Sequence, residues 1–318
     1  MPPVENIPPQ DLRVFIHAAR MASFAGAAGA LGTSPAYVSK RIALLERSLK
    51  VKLFHRSTRR VSLTERGEAM LSWAQRILDA YEQMDITLEQ SQKAIHGVVR
   101  VAASSGLGRN HVAPALSELV KLHAGLEIDL EILDRSVNLV DEDIDIDIRI
   151  GDVHEPHLVP HFLAHGRRIL CASPDYIRDR GKPDSVAELS RHSCLIIRER
   201  DEPFGRWSLS GPDGARNLRV HAALTSNHGD IIRGWALDGH GIMLRSYWDV
   251  AESLQRGDLV HVLPKYWQPA DVWAVTKIRS ENSARTRLCI RHLRARLRGG
   301  RFALASPDDL RALNLNSA

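Results

Sequence analysis

Residues 23–64, SFAGAAGALGTSPAYVSKRIALLERSLKVKLFHRSTRRVSLT, hold the pattern that decides the fold of the N-terminal region. A serine N-cap precedes a predicted helix over residues 24–31, which Gly32 ends. Ser34 and Pro35 then supply an N-cap and a proline at the first helical position, so a second helix begins after a very short turn. Two helices joined so closely cross at an angle, which predicts a helix-turn-helix.

The second predicted helix turns a mixed polar and cationic face outward. Val38, Ile42 and Leu45 recur at helical spacing and form its inward stripe. A face of small, hydroxyl and cationic side chains can read base edges in the major groove of DNA, where Lys or Arg pairs with guanine. An ordinary surface helix is the alternative. The candidate DNA-contacting residues at this helix are Ser34, Pro35, Ala36, Tyr37, Ser39, Lys40 and Arg41.

A basic hairpin is predicted directly after this helix. The short apolar runs VKLF and VSL flank a tip in which Arg56, Arg59 and Arg60 are candidates for contacting phosphates or the minor groove. Residues 1–64 contain 10 Lys and Arg against 3 Asp and Glu, a balance of +7, whereas the remainder contains 33 against 35, a balance of −2. The cationic excess therefore lies in the region whose pattern indicates nucleic-acid binding.

Two segments of this region, SFAGAAGALGTSPAYVSKRIALLE and LFHRSTRRVSLTERG, resemble the DNA-binding domain of LysR-type transcriptional regulators. The resemblance extends through nearly all of the chain. It implies an α/β protein with an N-terminal winged helix-turn-helix, a long linker helix and a two-lobed effector domain like the type-2 periplasmic binding proteins. The implied partners are double-stranded operator or promoter DNA, a small-molecule effector between the lobes, and further copies of the chain in a homodimer or homotetramer.

Later segments are similar to a branch of this family that activates the tartrate dehydratase operon. The similarity is carried by GLGRNHVAPALSELV, DIDIDIRI, RRILCASPDYI, ELSRHSCLI, WALDGHGIMLRSYWDV and LVHVLP. It implies that the effector is tartrate, malate or a related dicarboxylate.

A long helix without Gly or Pro is predicted from Glu68 to about Ile95. Its apolar stripe is typical of a coiled-coil seam and predicts pairing with a second copy of the chain. Packing of this helix on the chain's own effector domain is the alternative. The stripe consists of two seven-residue series, Met70, Ile77 and Met84, and Ala74, Tyr81 and Leu88.

The remainder alternates β-branched runs with helical stretches, which predicts a largely parallel α/β fold in two lobes, with crossings near Leu163 and Gln268. The predicted strands are 98–103, 127–133, 144–150, 168–172, 194–197, 220–224, 242–244, 259–263 and 272–276. The predicted division of the chain is 1–64 for DNA binding, 65–96 for the linker and dimerisation helix, 97–300 for effector binding and 301–318 for a C-terminal tail. Within the effector domain, lobe I comprises 97–164 and 268–300, and lobe II comprises 165–267.

Hydroxyl-bearing joints between strands and helices indicate where an effector binds. Helix N-termini beyond the carboxyl ends of strands in open α/β sheets offer free N–H groups to a ligand, which suits an anion. Simple helix capping is the alternative for each serine. A nearby arginine can add a charge-assisted bond to a carboxylate. The candidate effector-binding residues are Ser104, Ser105, Arg109, Arg149, Ser173, Ser226, Asn227 and His228.

The composition excludes several classes of protein. With 44% hydrophobic and 25% charged residues, the 318-residue chain is expected to be a globular cytoplasmic protein without a membrane span. Cys171, Cys194 and Cys289 are widely spaced, which predicts buried thiols and indicates neither a metal nor a disulfide framework, and no cofactor is expected. Because no GxSxG, HExxH or P-loop motif occurs, an enzyme is not expected. A solute-binding or enzymatic α/β protein with an incidental helix-turn-helix is the alternative.

Three further patterns have plain structural interpretations. A histidine run is interpreted as loop residues rather than a metal site, because two prolines prevent a single helix. Asp141, Asp143, Asp145 and Asp147 alternate with isoleucines, which predicts a strand with one acidic face. The arginine-rich last helix has an inward leucine stripe, which favours a packed helix over a second nucleic-acid surface. The histidine run consists of His154, His157, His161 and His165.

Overall fold

The structure is a computed structural model, and the chain folds as two compact units, Met1–Ala94 with Glu155–Val159, and Ile95–His154 with Pro160–Ala318. Within the described residues, no helix combines the length and the apolar character needed to cross a membrane. The described residues are 7–21, 23–31, 33–56, 61–89, 95–151, 153, 155, 158–198, 205–212, 214–277 and 283–304.

The N-terminal unit contains the predicted helix-turn-helix and hairpin. Ser23 Oγ accepts the N–H of Gly26 at 3.1 Å, and Ser34 Oγ accepts the N–H of Tyr37 at 3.2 Å, so both serines cap the helices that follow them. The elements are α1 (Pro9–Met21), α2 (Phe24–Ala30), α3 (Pro35–Leu49), β1 (Phe54–Arg56), β2 (Val61–Leu63) and α4 (Glu65–Glu89).

An aromatic cluster joins the helices of this unit to its hairpin. The ring of Phe54, at the start of β1, lies 5.5 Å from the rings of both Phe15 and Phe24 in edge-to-face geometry. Val38 and Ile42 of α3 are fully buried in the same core. This packing holds one face of α3 inward and leaves the other face at the surface.

A buried carboxylate ties α3 to the hairpin. Glu46 Oε1 accepts the N–H groups of Leu53 at 2.9 Å and Phe54 at 3.3 Å, and Glu46 Oε2 lies 3.0 Å from Lys52 Nζ. Burial alone raises the pKa of Glu46, but these hydrogen bonds and the lysine outweigh it and lower the pKa below its ordinary value of 4.5. An ionised Glu46 therefore fixes where the hairpin leaves α3.

Helix α4 begins against the hairpin. Thr64 Oγ1 accepts the N–H of Gly67 at 3.0 Å and donates to the carbonyl of Lys52 at 2.8 Å, so Thr64 caps this helix. A Cβ on Gly67 would overlap the carbonyl oxygen of Leu53. Glycine is required here because the helix and the hairpin backbone approach so closely.

Part of the predicted α4 seam faces the unit's own core. Ala74 is fully buried against the helix-turn-helix, so the series that begins with this residue does not form a free seam. Trp73, Ile77 and Tyr81 are instead exposed, at 57%, 37% and 42%. Their spacing of four residues places them along one exposed face of α4. The side chains of Met84 and Leu88 lie outside the described part of the chain.

The larger unit contains two lobes, and the first is built on a five-stranded sheet in the order β4-β3-β5-β14-β6. Its core lies between this sheet and helices α6 and α10, where Leu119, Leu288 and Leu293 are buried. The strands are β3 (Gly97–Ala103), β4 (Leu126–Ile132), β5 (Ile146–Ile150), β6 (Leu158–Ala164) and β14 (Val272–Lys277). The helices are α5 (Ser105–Leu107), a π-helical turn (Gly108–Val112), α6 (Ala113–Leu122) and α10 (Ala284–Arg298).

The second lobe is built on a seven-stranded sheet in the order β10-β9-β13-β7-β12-β8-β11. The strands are β7 (Arg167–Ala172), β8 (Cys194–Ile197), β9 (Arg206–Gly211), β10 (Gly214–Arg219), β11 (Ala222–Ser226), β12 (Ile242–Ser246) and β13 (Val260–Pro269). The helices are α7 (Pro174–Arg180), a 3₁₀ turn (Val186–Arg191), α8 (Gly229–Leu237) and α9 (Tyr247–Arg256).

Both sheets are mixed, so the expectation of a largely parallel fold is wrong. In the first lobe β3 pairs in parallel with β4 and β5, but β14 runs antiparallel to β5. In the second lobe β12 and β11 run parallel to β8, whereas β7, β9, β10 and β13 form antiparallel pairs. The sequence pattern missed β6, β9 and β10, because their apolar residues are too few or too interrupted to form a run.

Two neighbouring chain crossings connect the lobes, at residues 165–166 and 270–271. The N–H of Ala270 donates to the carbonyl of Gly166 at 3.0 Å, and the N–H of Gly166 donates to Asp271 Oδ1 at 3.1 Å. A Cβ on Gly166 would overlap the carbonyl oxygen of Ala270. The two crossings are therefore held side by side, as expected of a hinge between lobes.

The acidic run has a partner at nearly every position, although only residues 146–150 form the strand. Asp143 pairs with Arg100, whose N–H also donates to Asp145 at 3.1 Å, and the fully buried Asp147 pairs with Arg149 at 2.8 Å. Two of the four aspartates, Asp143 and Asp147, therefore have an arginine partner within the lobe.

The remaining patterns also have structural partners. In α10, Arg294 Nε and Arg298 Nε donate to the carbonyls of Phe162 and Leu163 at 2.9 and 2.8 Å, which fits the packed-helix interpretation. His161 lies in strand β6, so the loop interpretation is wrong for this residue, and its Nε2 is 3.2 Å from Thr276 Oγ1. His165 Nδ1 lies 3.3 Å from Asp271 Oδ1. His154 and His157 lie outside the described residues, among which no group of three or more suitable side chains could hold a metal.

The three cysteines are buried and free. Burial raises the pKa of Cys171, and it raises the pKa of both Cys194 and Cys289 to about 12. These thiols therefore stay protonated and unreactive at neutral pH.

Candidate functional sites

The first candidate site is the outward face of α3. Ser34, Pro35, Ala36 and Lys40 are exposed there, and Ser39 is half-buried. Proline at the first helical position and the capping serine fix the start of this helix, so the exposed residues of its first turns are presented on a rigid element. Side chains at the start of such a helix are those that reach base edges in the major groove.

Two predicted DNA-contacting residues of α3 are tied to α1 instead of being free. Arg41 Nε donates to Asp11 Oδ1, and this aspartate is buried. The Tyr37 hydroxyl accepts from Gln10 Nε2 at 2.8 Å. Both bonds orient the recognition helix on its support, as side chains around a functional surface commonly do.

Only part of the hairpin lies within the described residues. Arg56 ends β1, and its backbone pairs with Val61 of β2. The predicted phosphate contacts Arg59 and Arg60 lie outside the described residues.

The second candidate site is a cleft of about 840 Å³ between the two lobes of the larger unit. Its size suits a small-molecule ligand. The first lobe supplies the ends of β3 and β5, and the second lobe supplies the ends of β8 and β12 and one face of the β9–β10 hairpin. The residues that line the cleft include Ser104, Asp134, Arg149, Arg198, Arg206, Ser208, Asn217, Arg219, Asn227, Gly229, Arg245, Ser246 and Trp248.

Three of the predicted effector-binding residues line this cleft: Ser104, Arg149 and Asn227. Ser104 is the N-cap residue of α5, but its hydroxyl makes no capping bond, and it has no hydrogen-bond partner among the described residues. Arg149 is held by Asp147, with its side chain 10% exposed. A fixed guanidinium and a free hydroxyl at one end of the cleft can bind a carboxylate oxygen.

Four further predicted residues lie behind the cleft, and two of their contacts join the lobes. Ser105 Oγ lies 3.0 Å from His228 Nε2. The backbone N–H of His228 donates to Ser226 Oγ at 3.0 Å. Arg109 pairs with Asp230 at 2.7 Å. Burial alone raises the pKa of Asp230, but its bond to Arg109 outweighs this effect and lowers the pKa. These residues therefore connect the first lobe to α8 of the second.

Ser173 lies away from the cleft and caps α7, with its Oγ accepting the N–H of Tyr176 at 3.3 Å. Strand β7, which precedes it, runs antiparallel to β12 and pairs Arg168 with Ser246. The carboxyl end of β7 is therefore at the opposite edge of the sheet from the carboxyl end of β12. The expectation for Ser173 depended on a parallel sheet, and that premise is wrong for this strand.

Arg245 and Ser246, at the end of β12, were missed by the sequence reasoning. Arg245 is buried and binds Asp249 Oδ2 through Nε at 2.9 Å and Nη2 at 2.5 Å. A Cβ on Gly229 would meet Arg245 Nη1 at 2.7 Å, so glycine at the start of α8 lets the guanidinium lie against the backbone. Ser246 lies between a strand and a helix, as Ser104 does. The same signal would have found it had the strand been extended past Leu244.

Tryptophan and arginines from the second lobe complete the cleft. The Trp248 side chain packs against the core of the first lobe, and its indole N–H has no acceptor among the described residues. Arg198 follows β8, and Arg206 and Arg219 belong to the β9–β10 hairpin. The sequence signal for this hairpin was present, since RWSLS and ARNLR alternate around a Gly-Pro-Asp-Gly turn.

A helix-turn-helix with an exposed cationic helix, in one chain with a two-lobed unit that encloses a ligand-sized cleft, defines a DNA-binding regulator with its own ligand-binding domain. Residues 9–68 match the family described as bacterial regulatory helix-turn-helix protein, lysR family, and residues 92–298 match the LysR substrate binding domain. The chain belongs to the LysR family of transcriptional regulators and is not an enzyme.

Similar proteins agree with this assignment over most of the chain. The HTH-type transcriptional regulator DmlR of Escherichia coli K12 is 50% identical over 284 residues, which cover 89% of this chain and 92% of DmlR. The HTH-type transcriptional activator TtdR of the same strain is 41% identical over 286 residues, which cover 90% of this chain and 92% of TtdR, in agreement with the resemblance found in the sequence.

A solved structure shares the fold. The LysR-type transcriptional regulator CrgA from Neisseria meningitidis aligns with a TM-score of 0.73 and 26% identity. The alignment covers 92% of this chain and 100% of CrgA.

Proposed function

We propose that this LysR-type regulator responds to a small hydroxy-dicarboxylate such as tartrate or malate, held between the lobes of its effector domain. The observation that carries the proposal is the pairing of fixed guanidinium groups with free hydroxyls. Arg149 and Ser104 belong to the first lobe, and Arg245 and Ser246 belong to the second. A carboxylate between them accepts charge-assisted hydrogen bonds from both lobes.

The remaining groups suit the hydroxyl-bearing part of such a ligand. Asp134 Oδ1 accepts the N–H of Ser105 at 2.9 Å, and Asp134 is the only acidic residue among the described residues that line the cleft. A carboxylate at that place accepts a hydrogen bond from a ligand hydroxyl, whereas it repels a ligand carboxylate.

A few charge-assisted bonds are enough for a metabolite sensor. Each hydrogen bond to a charged group contributes about 1.5–3 kcal/mol, and ordering the ligand and the lobes offsets part of the sum. We expect a dissociation constant of about 10 μM to 1 mM.

We propose that DNA contacts come from the start of α3 and from the hairpin. Ser34, Pro35, Ala36 and Lys40 are exposed on the recognition face. Arg56, Arg59 and Arg60 are proposed to contact phosphates. Arg41 and Tyr37, which are bonded to α1, are proposed to position the helix and to reach DNA only at the edge of the contact.

We propose that the chain works in the cytoplasm as a homodimer or homotetramer, with its DNA-binding domain at 1–64, its linker helix at 65–96 and its effector domain at 97–300. The exposed face of Trp73, Ile77 and Tyr81 supports pairing through the linker helix. The strand membership of the two sheets supports a first lobe at 97–164 and a second lobe that begins at 165, but it moves the return to the first lobe from 268 to 270–271, because β13 extends to Pro269.

The melting temperature of the protein tests the proposed effector. Tartrate or malate is expected to raise it by mass action on the folded state. Ser104→Ala removes one of the free hydroxyls and is expected to reduce that shift. Ser173→Ala is the matched control, because it removes a helix cap at the other edge of the sheet. It is expected to lower the melting temperature by itself and to leave the ligand-induced shift unchanged.

Two outcomes would overturn the effector proposal. One is a melting curve that neither diacid shifts although an aromatic acid or an uncharged metabolite does. The other is an equal shift in the wild type and in Ser104→Ala.

A further inference from the structure

Among the described residues, the cleft arginines that lack an ion pair all belong to the second lobe. Arg149 and Arg245 each form an ion pair with a buried aspartate, Asp147 and Asp249, which fixes each guanidinium in place. Arg198, Arg206 and Arg219 make no ion pair with any described residue. Among the described residues, the five lining arginines outnumber these two aspartates and the lining Asp134, so the cleft carries an excess of positive charge.

Two of these arginines form a pair built into the β9–β10 hairpin. Arg206 and Arg219 are directly opposite each other in the antiparallel register, and Ser208 and Asn217 form the next same-face pair, joined by a hydrogen bond of 2.8 Å. All four side chains line the cleft. Like charges directly opposite on one face of a sheet are unfavourable, and an anion bound between them removes the repulsion.

The opposite face of the hairpin keeps this pair in place. Trp207 and Leu209 are buried in the core of the second lobe, at 6% and 0% exposure. Because side chains alternate along a strand, burying these two residues turns Arg206 and Ser208 toward the cleft. The orientation of the arginine pair is therefore set by the core.

The arginine pair lies at the other end of the cleft from Arg245. Strand β9 is separated from β12 by β13 and β7 in the sheet order. At about 4.8 Å per step, the two strands are roughly 14 Å apart. Long arginine side chains extending from both ends can contact the two termini of one short ligand, whereas a group of three or four atoms bound beside Arg245 does not reach β9.

We propose that Arg206 and Arg219 bind the second carboxylate of the effector, so that the hairpin selects dianions over the corresponding monocarboxylates. This inference rests on the proposed function, in which Arg149, Arg245 and the two serines bind the first carboxylate. The excess of positive charge among the described residues of the cleft favours a ligand with two negative charges over a ligand with one. Ligands that carry the same hydroxy-acid head without a second carboxylate gain nothing from the hairpin.

Calorimetric titration of the full chain with two matched ligand pairs tests the inference. Lactate is malate without the second carboxylate, and glycerate stands in the same relation to tartrate. Wild-type protein is expected to bind the better diacid at least tenfold more tightly than its monocarboxylate partner. Arg206→Gln and Arg219→Gln are each expected to weaken diacid binding by roughly threefold to tenfold. The double variant is expected to bring the diacid close to the monocarboxylate, whose own affinity changes little.

Arg216→Gln is the matched control. Arg216 lies on β10 between lining residues, is exposed and does not line the cleft. The substitution removes the same charge from the same strand, so diacid binding is expected to stay within twofold of the wild type. The melting temperature of each variant without ligand shows whether the hairpin is still folded.

The outcomes separate this inference from the proposed function. Wild-type protein that binds neither diacid overturns both. Diacid binding that survives in the double variant overturns the hairpin inference and leaves the proposed effector standing. Loss of monocarboxylate binding in a folded double variant also overturns it, because the hairpin would then support the whole cleft. An equal loss of diacid affinity in Arg216→Gln would show that the effect comes from net charge alone, and it would overturn the hairpin inference as well.

Discussion

Two adjacent cations on the recognition helix have different surroundings. Lys40 is exposed, whereas Arg41 is bonded to the buried Asp11. Sequence periodicity placed both near the outward face, but it could not show that an aspartate 30 residues earlier binds one of them. Partners that are distant in sequence are determined by tertiary packing, which local patterns do not encode.

Lys40→Ala is predicted to reduce affinity for particular operator sequences, by about 1–3 kcal/mol at the base pairs it contacts. Arg56→Ala, in the hairpin, is predicted to weaken binding to every sequence and to lower the slope of log K against log salt by about one. Binding titrations with base-substituted operators at several salt concentrations measure both effects. Equal losses on all sequences for both variants would contradict this division.

Glu46 is predicted to make the N-terminal unit sensitive to acid. Its folded pKa is lowered, so its contribution to stability is present above the ordinary value of 4.5 and is lost as pH falls through the folded pKa. Glu46→Gln should be less stable than the wild type at about pH 6–7 and should lose less stability on acidification. Denaturant melts of both proteins, from neutral pH to below the ordinary pKa of 4.5, measure the difference. Parallel stability curves for the two proteins would show that Glu46 is not ionised and bonded as described.

At the scale of elements, periodicity and cap signals were sufficient for the helix-turn-helix and for most strands. Ser34 and Pro35 predicted the start of α3, whereas α4 begins at Glu65, three residues before the predicted start. The β9–β10 hairpin was missed because its cleft-facing residues are polar and only Trp207 and Leu209 are buried on the other face. Strand direction was also missed, and Ser173 shows the consequence. A strand's sequence predicts its faces but not the direction of its neighbours.

The start of α8 provides a sharp test of the cleft. Gly229→Ala is predicted to displace the guanidinium of Arg245, because the added Cβ would lie 2.7 Å from its Nη1. Diacid affinity should fall by roughly tenfold, the size of about one charge-assisted hydrogen bond. Gly234→Ala in the same helix meets no atom within 4 Å and serves as the control, with unchanged affinity and equal or higher helix stability. The two variants are compared by calorimetry, and similar affinities would mean that Arg245 does not bind the ligand.

The exposed face of α4 is predicted to be a dimer contact. Replacing Ile77 and Tyr81 by Glu places two charges on the face they share with Trp73. The result should be monomers that still bind effector but bind operator DNA weakly, because two half-sites need two DNA-binding domains. Light scattering measures the mass. An unchanged dimer would place the interface on another surface.

At the scale of the whole molecule, a ligand-responsive regulator requires communication between its effector cleft, proposed to bind a diacid, and the helix that contacts DNA. Within the larger unit, the crossings at Gly166 and Ala270 and the contacts Ser105–His228 and Arg109–Asp230 join the lobes. A ligand that binds both lobes favours the lobe arrangement it fits. The sequence predicted that two lobes exist, while the residues that join them became visible only in three dimensions.

Coupling between sites is a free energy, commonly about 1–3 kcal/mol, and it acts in both directions. A regulator therefore binds its operator differently when its effector cleft is filled. A solute-binding protein with an incidental helix-turn-helix has no such coupling and shows no specific footprint.

The most direct test is a footprint of the full-length protein on the DNA upstream of its own gene, with and without tartrate or malate at matched ionic strength. We predict a specific, salt-sensitive footprint whose extent or midpoint changes on addition of one of the diacids and does not change with lactate or glycerate. A footprint that stays identical at saturating diacid, or protection that does not depend on DNA sequence, would contradict a diacid-responsive regulator.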